Sequence, residues 1–105
     1  MTVDTGELDE AVETLADRLR ALPESRLRRE AGVRGLETAR ELSRRAQRLE
    51  GAFGAPREMP DAGVWVIAEQ VAVAGHDLSR AIAAAPDEDA ARRELAAALE
   101  LLRRA

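Results

Sequence analysis

The sequence predicts an all-α fold, an antiparallel four-helix bundle in which two short outer helices flank a long helical hairpin. Three observations lead there. Apolar residues recur at steps of four and three in every long segment; Pro23, Pro86 and the Gly- and Pro-rich run 51–60 mark segment boundaries; and the apolar content comes from Ala, Leu and Val, with Phe53 and Trp65 the only aromatics among 105 residues. A core of such small side chains suits closely packed helices. At this length the chain forms one domain, residues 1–105, with a single core.

The first helix is predicted from Asp4, which with Glu7 has the spacing of a capping box, to about Leu22 before Pro23. Leu8, Val12, Leu15, Leu19 and Leu22 form its apolar stripe. Glu7, Asp9, Glu10 and Glu13 crowd its early turns and Arg18 and Arg20 its end, as the helix dipole favours.

Pro23 suits the first turn of a second helix that continues to Gly51. Ala39, Leu42, Ala46, Leu49 and Phe53 carry its seam, which extended backward reaches Gly35 and Gly32. These glycines either let a neighbouring helix approach closely or kink the helix near Gly32–Gly35. The other face carries Arg26, Arg40, Arg44 and Arg48 interleaved with Glu30, Glu37 and Glu41, the pattern of a solvated surface.

Residues 51–60, GAFGAPREMP, read as the loop of the hairpin. Asp61 is expected to cap a third helix ending near Ala85, with Val64, Ile67, Val71, Ala74, Gly75, Leu78 and Ile82 as its core stripe. After Pro86, the acids Asp87, Glu88 and Asp89 open a fourth helix with the stripe Ala91, Leu95, Ala98 and Leu102, closed by Arg103 and Arg104.

Composition narrows the function classes. With no Cys there is no disulfide, thiolate nucleophile or Cys-based zinc site. A net charge of -4 argues against a general nucleic-acid binder. All 16 basic residues are Arg, which fits a high-GC bacterial composition. The acidic N-terminus and the lack of a long apolar run predict a cytoplasmic protein without a membrane span. No catalytic constellation is present: Ser25, Ser43 and Ser79 lack a glycine elbow, no E-x-x-H motif occurs, and one His cannot complete a metal sphere. A non-enzymatic protein with no cofactor and no metal is expected.

The third helix carries the functional expectation. Opposite its core stripe lie Trp65, Val66, Glu69, Val73, His76 and Arg80, and a helix apolar on both sides should be covered on both. In a hairpin whose outer helices reach only one end, Leu49, Phe53, Val64, Trp65 and Ile67 would also form a bare tip. Trp65, Val66, Glu69, Val73, His76, Arg80 and Phe53 are therefore the expected interface, filled by a second copy or another helical protein, with Glu69 facing an Arg across it. The alternative is chemical. The run Gly75, His76, Asp77, Leu78 resembles the phosphoacceptor segment of two-component signalling proteins, where a helical His in a four-helix bundle is followed by an acid and Leu. That resemblance implies phosphorylation of His76 with Asp77 as base. The chain departs from it at Ser79, Arg80 and Ala81, where those segments continue with a basic or small polar residue and Pro, or with Lys and Gly.

Overall fold

A computed structural model describes residues 2–51 and 54–105. Its regular structure is five helices and one 3-10 turn, with no strand among the described residues: α1 (Gly6–Arg20), α2 (Glu24–Leu27), α3 (Glu30–Leu49), the 3-10 turn (Val64–Val66), α4 (Ile67–Ala84) and α5 (Glu88–Arg104). The expected Asp4–Glu7 capping box does not form: α1 starts at Gly6, and no side chain caps it at Thr5. Asp4 Oδ1 accepts the Gly6 N–H at 2.8 Å before α1, and Asp87 Oδ1 accepts the Ala90 N–H at 3.1 Å at the start of α5.

The expected second helix is two helices. Pro23 precedes a single turn, α2, and Arg29, at φ -104° and ψ -145°, leaves the helical region before α3 begins. The interruption therefore falls at Arg28–Arg29, and α3 runs unbroken through Gly32 and Gly35. Gly32 still has a part in it. A Cβ there would lie 1.7 Å from the Leu27 carbonyl oxygen, so only a bare backbone lets α2 fold onto the first turn of α3. At Gly35 a Cβ would meet Ile67 Cγ2 at 2.9 Å and Leu19 Cδ1 at 3.3 Å, which makes it a point of close helix approach.

The long hairpin is not formed, because α3 and α4 run parallel. Gly32 and Gly35, near the start of α3, lie against Ile67, the first residue of α4. Toward the end of α3, Ala46 and Gln47 share a cleft with Asp77 and Arg80 of α4. The chain between them must return along α3. About 14 extended residues reach roughly 45 Å, enough to retrace a 20-residue helix about 30 Å long.

Side chains strap this return segment down and satisfy its backbone. The buried Gln47 donates through Nε2 to Arg57 O at 2.9 Å and accepts the Arg57 N–H at 2.8 Å. Arg40 Nε donates to Met59 O at 2.8 Å, and Gln70 Nε2 donates to Pro60 O at 2.9 Å. Arg44 pairs with Glu58 at 2.9 Å and with Glu41 at 3.2 Å. Part of the charged face predicted to be merely solvated thus holds the connection in place.

Helix α4 is the centre of the molecule, packed most extensively on α3 and then on α1. It runs antiparallel to α1: Arg20 at the end of α1 pairs with Glu69 near the start of α4, while Asp9 and Glu13 reach His76 further along. Helix α5 covers α1, α4 and α3, and is tied to α3 by Arg45 and Glu94 at 3.1 Å. Leu8, Val12, Leu42, Val71, Leu78 and Ile82 are fully buried, and α5 adds Ala91, Ala98 and Leu102. The extents of 44 × 30 × 17 Å describe a slab, its thin dimension about two helix layers deep.

The expected tip is dismantled by this topology. Leu49 lies at the end of α3, whereas Val64, Trp65 and Ile67 lie at the opposite end of the molecule, beside the start of α3. Ile67 is buried core and Val64 is half-buried. Phe53 lies outside the described residues.

Candidate functional site

Trp65 and Val66 are presented by the 3-10 turn and not by the helix proper. Asp61 does not cap α4 directly. Its Oδ1 accepts the Gly63 N–H at 3.0 Å, Gly63 takes φ +97°, and the Gly63 carbonyl accepts the Val66 N–H at 3.4 Å. Glycine is suited to this left-handed backbone, which turns the chain from the return segment into α4.

The turn leaves Trp65 65 % exposed. Its cleft is lined by Leu19, Leu27, Val64 and Ala68 and edged by Arg20 and Glu69. Leu27 and Val64 also line a second cleft, with Leu36 and Val33 of α3. Val33 is 56 % exposed on this second cleft, whose wall also carries Arg28, Glu37, Arg40 and Asp61, and the two clefts share the half-buried Val64 and the buried Leu27. Sequence reading missed Val33. The available signal was its place as a large apolar residue on the otherwise charged face of α3.

Val66 and Val73, seven residues apart, are 38 % and 58 % exposed. Together with Trp65 they are the expected interface residues that face outward and make no polar commitment. Glu69, His76 and Arg80 are engaged within the chain. Glu69 accepts from Arg20 Nε of α1 at 3.1 Å. Arg80 pairs with Asp77 on its own helix.

His76 is paired with the neighbouring helix α1. Both ring nitrogens are taken by α1: Nδ1 lies 3.0 Å from Asp9 Oδ1 and Nε2 lies 2.6 Å from Glu13 Oε2. The hydrogen bond to Glu13 foremost, and that to Asp9, hold the imidazole above the ordinary histidine range against the opposing effect of partial burial. The legible signal was Asp9 and Glu13 themselves, two acids one turn apart that flank the core residue Val12; read alone, they are dipole-favoured acids at a helix start. The two carboxylates approach opposite nitrogens, so the three groups do not converge on one point. No group of three His, Asp or Glu among the described residues could hold a metal ion.

The arginines of α3 are similarly occupied. Glu41 lies 2.8 Å from Arg45 and also pairs with Arg44 and Arg48, while Glu58 pairs with Arg40 and Arg44. Such neutralisation leaves little field to attract a phosphate backbone. Among the described residues, no helix is long and apolar enough to cross a membrane. Comparison of the chain with protein-family models, curated proteins and solved structures finds no match.

Proposed function

We propose that the chain is a non-enzymatic helical interaction or regulatory module that associates with a second copy of itself through the apolar surface around Trp65, with Val33, Val66 and Val73. The observation that carries this reading is the exposure of these four large hydrophobics, Val33 on α3, Trp65 and Val66 on the 3-10 turn and Val73 on α4. Scattered single hydrophobics are ordinary on a surface; what favours an interface is that Trp65 and Val33 line neighbouring clefts that share the half-buried Val64. A partly seated Trp beside an apolar cleft is the kind of anchor that dominates interfaces, and two-fold pairing is the commonest way to cover such a surface. Glu69, His76 and Arg80 have no part in this version, because each is paired within its own chain.

Light scattering and sedimentation test the proposal. Wild type is expected to dimerise at high micromolar concentration, and Trp65→Ala and Val73→Glu to shift it toward monomer. A wild-type monomer under those conditions would remove the reading. The phosphoacceptor alternative requires His76 to leave Asp9 or Glu13 before a ring nitrogen can attack a phosphoryl group; its test is acid-labile phosphorylation of wild type but not of His76→Ala.

A further inference from the structure

We propose that His76 is a protonation-controlled latch between α4 and α1, holding α1 closed in its charged form and releasing part of that hold when it becomes neutral. The proposal is independent of self-association.

Asp9 and Glu13 stand one turn apart on α1, about 6 Å along its axis, and the ring sits between them with one nitrogen toward each carboxylate. Its position is set by packing. Between the two acids, Val12 meets Gly75 so closely that a Cβ on Gly75 would lie 2.5 Å from both Val12 methyls. An imidazolium has two N–H donors, one for each acid, whereas a neutral imidazole has one and turns a lone pair toward the other carboxylate. Deprotonation therefore loses one of the two bonds and sets two acceptors against each other.

On α1, Glu10 lies between the two acids in sequence and is exposed, with no ion pair among the described residues. On α4, Asp77 is held by Arg80 and Glu69 by Arg20, and no charged side chain of α3 or α5 pairs with His76 among the described residues. Composition isolates its titration further. The sequence has no Cys, Tyr or Lys, so His76 is the only side chain whose type ordinarily changes charge between about pH 6 and 9. Because its folded-state pKa is raised, the latch is complete below the unfolded histidine value and is lost as pH rises through the folded one.

Amide hydrogen exchange of the intact chain, corrected for intrinsic rates, tests this at pH 6 and pH 9. Opening of α1 amides is expected to increase roughly two- to five-fold between the two, the range for a partly exposed ion pair, and to stay flat in His76→Gln. An unchanged α1 in wild type, or the same increase in His76→Gln, overturns the latch. Proton NMR titration of the single histidine in wild type gives a readout that needs no variant: a midpoint above that of a histidine peptide is expected, and one at or below it overturns the proposal.

Discussion

The weakly charged stretch from Pro60 to Pro86 meets the rest of the molecule in two different ways. From Val71 to Ile82 its inner face is covered by α1, α3 and α5, with Val71 and Leu78 fully buried and Gly75 too close to Val12 to admit a Cβ. From Val64 to Val66 it is a 3-10 turn covered on one side only, with the Trp65 side chain largely in solvent. Hydropathy does not separate these halves, since Val66 is as apolar as Val71. What separates them is which neighbours the topology brings to each side.

Four substitutions would break or sharpen that contrast. The largest effect is expected from Leu78→Ala, which empties a fully buried site and should cost about 2–5 kcal/mol, measured by urea unfolding. Next comes Gly75→Ala. The added methyl meets a stiff, buried Val12 and should cost about 1–3 kcal/mol despite alanine's better helix propensity; an unchanged or raised stability would mean that α1 can move away freely. Ser79→Ala should act in the opposite direction. Ser79 is buried on α4 and its Oγ has no hydrogen-bond partner among the described residues, so removing the hydroxyl should raise stability by about 0.5–1 kcal/mol.

The smallest effect on folding is expected from Trp65→Ala, about 0.5 kcal/mol when measured at dilution where the chain is monomeric. The same variant is expected to have the largest effect on association. If Trp65→Ala instead destabilised the dilute protein as much as Leu78→Ala, Trp65 would belong to the core and the contrast between the two halves would be gone.

Several features were legible residue by residue. The stripe Leu8, Val12, Leu15 and Leu19 is buried as expected, the acids Asp87, Glu88 and Asp89 open α5, and Val71, Ala74, Gly75, Leu78 and Ile82 form the inner face of α4. Each depends on period or on an interaction within a few residues, which a linear chain displays. The outward placement of Trp65, Val66 and Val73 followed from the same projection. Features that depend on distant neighbours were not legible. Gln47 gives no sign that its amide will bind the Arg57 backbone, and Gly32 none that the Leu27 carbonyl will lie against it.

By itself the sequence determined the helical class, the core stripes and most helix boundaries, because periodicity and capping act over a few residues and carry their own energy. Tertiary structure decided the direction of α4 beside α3, the break at Arg28–Arg29 and the partners of Glu69 and His76. The physical reason is that a connection of about 14 residues is long enough either to form a hairpin loop or to retrace the helix before it. Long-range packing of Ile67 on Gly32 and Gly35, and the polar straps along residues 57–60, favour the second course. Once α4 starts at that end, its Trp65 end lies beside α2, and His76 lies between two acids of α1.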